Sequence, residues 1–315
     1  MKQKTALVTG AFGAVGRYVA AALAARGYAV IGLGHGTWSV DDQRTLGIAQ
    51  WLEGDVSPAN LGQLETLPSL IVACAGGSSV GASVHAPYVD FQRTVNSTVA
   101  ILEFMRLHCP EAALVYPSSA AAYGVVEQLP IREDSPLCPS SPYGVHKKIA
   151  EETIAEYSRF FGLKTIVVRL FSVYGEGFRK QLLWDACHRI AANETTFFGT
   201  GDETRDWIHA ADATKLMVQA ANYASPDCPV VNGACGEQVT VSDILTELFT
   251  LMGRCDLPQF SGEVRAGDPR NYHADVSKAL SWGWQPSITW QEGLRSYVAW
   301  FKDECLMDDR LPTTP

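Results

Sequence analysis

An apolar run, Ala6-Leu7-Val8-Thr9, breaks into Gly10-Ala11-Phe12-Gly13-Ala14-Val15-Gly16 and then into an Ala-rich helical pattern from Arg17 to Arg26, which Gly27 closes. Few folds place a strand, a glycine turn and a helix in such quick succession. The glycines permit a tight turn and a close backbone approach, and the helix start offers free N–H groups and a positive dipole end. That combination suits a pyrophosphate, so Gly10, Phe12, Gly13, Ala14, Val15 and Gly16 are the candidate cradle for a dinucleotide.

The next 150 residues repeat the theme. Ala29–Leu33, Leu70–Ala73, Ala113–Tyr116 and Thr165–Leu170 are continuous apolar runs. Helical patterns lie between them, two of which span Ser97–His108 and Tyr143–Phe161. Continuous rather than alternating apolar strands mark a parallel sheet covered on both faces. The expected fold is therefore α/β, a Rossmann-type doubly wound parallel sheet. After Gly175 loops lengthen, yet Pro229–Gly233 reads as one more strand returning to the sheet. This predicts a dinucleotide-binding domain of residues 1–169 plus about 206–233. A smaller, discontinuous α/β domain would hold about 170–205 plus 234–315, with a frayed tail after Leu306.

Doubly wound folds that take NAD carry an acidic residue at the end of the second strand, which accepts from the ribose 2′-hydroxyl. Here that position falls at Gly34-His35-Gly36. Nothing there repels a 2′-phosphate, and Arg17 and His35 would approach one, so both NAD(H) and NADP(H) stay open. The alternative for Arg17 is an ordinary place on the helix surface. Asp55 and Val56 follow the third strand at the edge that would face the adenine.

An acid–base set follows. Tyr143 and Lys147 lie four apart in Ser141-Pro142-Tyr143-Gly144-Val145-His146-Lys147, which puts them on one helix face. A nearby ammonium is expected to lower the Tyr143 pKa, as a general acid/base requires. Upstream, Tyr116-Pro117-Ser118-Ser119-Ala120-Ala121-Ala122-Tyr123-Gly124 puts hydroxyls just past a strand, at the carboxyl edge where such sheets bind ligands.

Together, and in this order, these motifs resemble the extended short-chain dehydrogenase/reductase family of nucleotide-sugar epimerases, dehydratases and 4-ketoreductases. The resemblance also covers Asn96, Arg169–Gly175, Gly199–Gly201, Arg205–His209 and Arg265–Asp268. It implies Tyr143 as acid/base, Lys147 as the partner that holds the nicotinamide ribose, and Ser119 as the catalytic hydroxyl. Ser118 is the less favoured neighbour. It implies Ala75 and Asn96 on the cofactor side, and Arg205 and Arg265 on a nucleotide diphosphate. Ser172 departs from the Asn often found at its position. Lys180, Gln181 and Trp184 are candidates for the sugar pocket. Phe197 or Phe198 is a candidate to border the base, with core packing the alternative. A homodimer is implied, pairing the helices Ser97–His108 and Tyr143–Phe161.

Dehydratases of this group carry an Asp-Glu pair where this chain has Ala120-Ala121, which argues against a 4,6-dehydratase. An NAD(P)H-dependent reductase of 4-keto-6-deoxy nucleotide sugars and an NAD-dependent 4-epimerase remain. The absent acidic selector, the short segment before Asp55, and a loop Ser78-Ser79-Val80-Gly81-Ala82-Ser83 similar to that of GDP-4-keto-6-deoxymannose reductases tilt toward the reductase. Ser78, Ser79 and Val80 would then touch substrate.

Net charge is −9 over 315 residues, so no basic surplus exists to neutralise a nucleic acid. No signal peptide is expected, because the N-terminal apolar run is short and ends in Gly10, and no membrane helix, because the longest uncharged stretch, Leu67–Val89, is broken by Pro68, Pro87 and Gly76-Gly77. The eight cysteines form no CxxC pair and show no Cys/His metal spacing, which fits free thiols in a reducing cytoplasm and no metal site.

Overall fold

The computed structural model describes residues 3–77, 79–263 and 270–308. Six strands come early: β1 (Thr5–Thr9), β2 (Ala29–Gly34), β3 (Ile48–Glu53), β4 (Leu70–Ala73), β5 (Ala113–Ser119) and β6 (Lys164–Leu170). With Val230–Gly233 they make one seven-stranded parallel sheet in the order Val230–Gly233, β6, β5, β4, β1, β2, β3. The chain reverses its direction of growth between β1 and β4. In such sheets ligands bind in the crevice outside the carboxyl ends at that point.

Helices between these strands are α1 (Ala14–Ala25), α2 (Val40–Thr45), α3 (Pro58–Leu61), α4 (Val80–His85), α5 (Pro87–Phe91), α6 (Ser97–His108) and α7 (Pro142–Phe161). Beyond the sheet run the short strand β7 (Ser172–Tyr174) and α8 (Gln181–Ala191), α9 (Ala210–Ala220), α10 (Val241–Leu251), α11 (Ser277–Ser281) and α12 (Trp290–Asp308). Helix α1 starts three residues earlier than its apolar pattern suggests. Ala14, Val15 and Gly16 form its first turn, so the glycine turn and the helix start share residues.

Alternation along the strands builds two cores. Val8, Val72, Val115 and Val168 face α1 and α9, packing on Val19, Leu23, Leu216 and Met217. Leu7, Ile71, Leu114 and Val167 face α6 and α7, packing on Ile101, Met105, Ala150 and Ile154. Each such side chain, wholly removed from water, contributes about 1.5–3 kcal/mol of hydrophobic stabilisation before entropy is counted. A third core joins α8, α10 and α12 through Leu183, Ile190, Leu245, Leu248, Leu294 and Phe301. Asp206 ties this region to the sheet. It is fully buried and accepts from the backbone N–H groups of Cys235, Gly236 and Ala274.

Candidate active site

The glycine turn is built for close approach. Gly10 has φ +66°, and a Cβ there would meet the Ala75 backbone nitrogen at 2.7 Å. A Cβ on Gly16 would lie 2.2 Å from the Gly10 carbonyl oxygen. Gly13 caps α1 without a side chain, and the first turn carries no acid. The N–H groups there have no competing anion, so the turn fits a pyrophosphate. The Gly10 and Ala75 backbones approach closely, which puts Ala75 beside the turn.

Arg17 is not an ordinary surface residue. Its Nε donates to the Phe12 carbonyl at 3.0 Å, and its guanidinium lies 4.5 Å from the Phe12 ring centre and 5.1 Å from that of Trp38. His35 is not a free phosphate ligand either. Its Nε2 lies 2.7 Å from the Asp55 carboxylate, which reaches it from two residues beyond β3. Val56 beside it is half-buried against the α6 side of the sheet. Asn96 is exposed, in a wide helical turn over Gln92–Asn96. Thr94 of the same turn is the residue that faces the β4 loop, accepting from Gly77 N–H at 2.9 Å.

The acid–base candidates meet at the carboxyl end of β5. Ser141 caps α7 by accepting from Gly144 N–H, and a Cβ on Gly144 would lie 2.4 Å from the Ala121 carbonyl. The first turn of α7 is therefore pressed onto Ala120–Ala122. The Tyr143 side chain has Ser119 as its neighbour, and its N–H donates to Ser83 Oγ at 3.0 Å. Lys147 Nζ donates to the Pro117 carbonyl at 2.9 Å, and lies 4.8 Å from the Tyr116 ring centre and 5.9 Å from that of Tyr143.

Burial pushes the Lys147 ammonium down to about 8, against the opposing pull of Glu151. Burial likewise raises Tyr143 above the ordinary phenol range, with the neighbouring Ser119 hydroxyl acting the other way. The ammonium was expected to lower Tyr143. Desolvation of the phenolate is instead the largest influence on it, and the Lys147 ammonium is turned to the Pro117 carbonyl.

Several contacts carry no sequence motif. Ser118 Oγ donates to the buried Glu151 carboxylate, which also accepts from Arg169. Asp90 and His146 form a buried pair at 2.6 Å, and Asp90 abuts Gly77 closely enough that a Cβ there would overlap its carboxylate. Glu151 sits at the next i+4 step after Tyr143 and Lys147, so helix periodicity alone would have found it. Asp90 had no such signal, since its partner lies 56 residues away.

The proposed substrate contacts scatter. Ser79 caps α4 through Ala82 N–H, and Val80 opens that helix, partly exposed. Ser172 starts β7, half-buried, and its N–H donates to the Asp206 carbonyl. Lys180 and Gln181 are exposed at the start of α8. Trp184 corrects expectation: it packs on Trp300 and Phe301 of α12. Phe197 is likewise a core residue, at 4% exposure, whereas Phe198 is exposed. Arg205 donates to the carbonyls of Thr204 and Arg270, with its guanidinium 5.7 Å from the Tyr272 ring centre. Ser78 and Arg265 lie outside the described residues.

A family model described as the NAD dependent epimerase/dehydratase family matches residues 6–232. The chain belongs to this family. Among similar family proteins, a putative UDP-glucose 4-epimerase of Methanocaldococcus jannaschii is 29% identical over 94% of this chain and 98% of its own length. The UDP-glucose 4-epimerase of Mycolicibacterium smegmatis is 28% identical over 95% and 98%. Among solved structures, UDP-glucose 4-epimerase of Thermotoga maritima with UDP-glucose superposes with a TM-score of 0.87 at 26% identity, covering 96% of this chain and 99% of that one. The Thermus thermophilus UDP-glucose 4-epimerase complex with NAD gives 0.84 at 26%, covering 95% and 99%. Among the described residues no helix is long and apolar enough to cross a membrane, and no three His, Cys, Asp or Glu side chains gather as a metal site. None of the eight cysteines is joined in a disulfide.

Proposed function

We propose that this family member is an NAD-using 4-epimerase of a UDP-linked hexose. The observation that carries the reading is its end-to-end likeness to UDP-glucose 4-epimerases. Ser119, Tyr143 and Lys147 serve a reductase equally well, so they do not choose between the two. The carboxylate that the second strand lacks is supported from another direction: Asp55 sets a negative charge against His35, at the adenosine edge, and favours NAD over a 2′-phosphate.

NAD, when bound at the glycine turn, supplies the hydride acceptor and donor at sugar C4. Tyr143 takes the proton of the 4-hydroxyl as base, and returns it as acid once the ketone presents its other face. Ser119 hydrogen-bonds the same oxygen beside Tyr143, and Lys147 supplies positive charge and a ribose contact. Arg205 would hold the diphosphate. With Ala120 and Ala121 following Ser119, no side-chain acid or base stands there for loss of water. We extend the reading to a homodimer across α6 and α7, on which Leu107, Phe160 and Phe161 stand exposed. The test is retained NAD together with interconversion of UDP-glucose and UDP-galactose. Consumption of NAD(P)H with a 4-keto-6-deoxy nucleotide sugar would favour the reductase.

A further inference from the structure

Three consecutive residues at the end of β5 each face one side chain from successive turns of α7, and two of them are hydrogen-bonded to it. The Pro117 carbonyl accepts from Lys147 at 2.9 Å, Ser118 donates to Glu151, and Ser119 neighbours Tyr143. The spacing 143, 147, 151 keeps all three on one helix face. Glu151 in turn is fixed by β6. Arg169 donates to it through Nε at 3.0 Å and through Nη2 at 2.7 Å, and its Nη1 donates to the Glu133 carbonyl at 2.9 Å. Both side chains are buried, at 5% and 6% exposure. The Arg169 guanidinium also lies 4.7 Å from the ring centre of Tyr123, whose hydroxyl donates to Asn232 Oδ1 at 2.7 Å.

We propose that Glu151, locked by Arg169, is a positioning residue. It sets the end of β5 against Tyr143 and Lys147, and places a carboxylate one helical turn from Lys147 on the same face of α7. This rests on Ser119, Tyr143 and Lys147 being the acid–base set. A buried ion pair is weak evidence for stability, since well-packed apolar residues often replace one without loss. Its placement here has another use. Glu151 keeps hydrogen bonds from both Ser118 and Arg169, so it links the catalytic strand to its neighbour and to the helix.

Lys147 is faced by Glu151 on α7, Asp90 on α5, Cys74 after β4, and the rings of Tyr116 and Tyr143. Glu151 is faced by Ser118 on β5, by Arg169 on β6 and, at longer range, by Cys228 and Tyr123. Glu151 is the strongest of the charges that favour the Lys147 ammonium against its burial. Removing its charge while keeping its shape must make that proton easier to lose.

The experiment compares Glu151→Gln, Glu151→Asp and Tyr143→Phe with the natural chain. The Lys147 Nζ titration is followed by NMR in the cofactor-free protein, and kcat and KM are measured against pH on UDP-glucose. In Glu151→Gln the Lys147 midpoint and the alkaline limb of kcat should both move down by about one pH unit, with KM little changed. Glu151→Asp keeps the charge but shortens the reach, so it should keep the midpoint and lose about tenfold in kcat. A folded Glu151→Gln whose midpoint and limb match the natural chain overturns the proposal. If Glu151→Gln does not fold, Glu151→Asp decides, and unchanged kcat in it overturns the proposal. Natural turnover in Tyr143→Phe would instead sink the acid–base reading itself. An inactive Tyr143→Phe beside an unmoved Glu151→Gln sinks only the role of Glu151.

Discussion

Tyr143 shows how far a spacing carries and where it stops. A spacing of four from Tyr143 to Lys147 is enough to put both on one face of α7, and the serines that end β5 are enough to name a hydroxyl near them. The environment that sets their proton affinities is not local. It depends on burial beneath the carboxyl end of the sheet and on Glu151, Asp90 and Pro117, which the fold gathers from separate segments. Tyr143→Phe keeps the ring and its packing and removes only the hydroxyl. We expect kcat to fall by about 10²–10⁴ with the thermal midpoint little changed. Kinetics beside a melting curve check this, and near-natural turnover would remove Tyr143 from the mechanism. His35 was legible as a missing acid but not as half of a pair, because Asp55 arrives from a different strand.

Elements were the most legible scale. Helix α6 spans Ser97–His108 as read from the sequence, and α7 begins one residue earlier than expected, with Ser141 as its cap. Helix α7 is marked at both ends, by the Ser141 cap and by Gly162 in the left-handed region at φ +69°. The parallel sheet followed from continuous apolar runs, since strands buried on both faces have no polar side to show. Trp184 misled, whereas Phe197 took the core place that was its stated alternative. A large aromatic after a loop is equally at home in a pocket or in a core, and only α12 and α10, distant in sequence, decide which. For the glycine turn, Gly16→Ala forces a methyl group to 2.2 Å from the Gly10 carbonyl, so the turn must open. NAD affinity should fall at least about tenfold, since the pyrophosphate contacts are backbone N–H groups. Titration by protein fluorescence measures it, and unchanged affinity would move the cofactor elsewhere.

At the scale of the whole molecule, what the sequence did not display is how the later segments return to the sheet. Asp206 does this by accepting from Cys235, Gly236 and Ala274, contacts that join positions up to 68 residues apart. The returning strand itself was readable as Pro229–Gly233, and it pairs with β6 as the sheet edge. Exposed Leu107, Phe160 and Phe161 on α6 and α7 lead us to expect a dimer in solution. Light scattering should give twice the chain mass, and a monomer at working concentration would reject that pairing. The central claim is that this chain inverts C4 of a UDP-hexose with NAD it does not consume. The protein should be purified without added cofactor, its bound nucleotide released and quantified, and UDP-galactose supplied while UDP-glucose is followed by chromatography. The account predicts NAD near one per chain and UDP-glucose formed with no net change at 340 nm. Cofactor-free protein that leaves UDP-galactose untouched but oxidises NAD(P)H with a 4-keto-6-deoxy nucleotide sugar would contradict it.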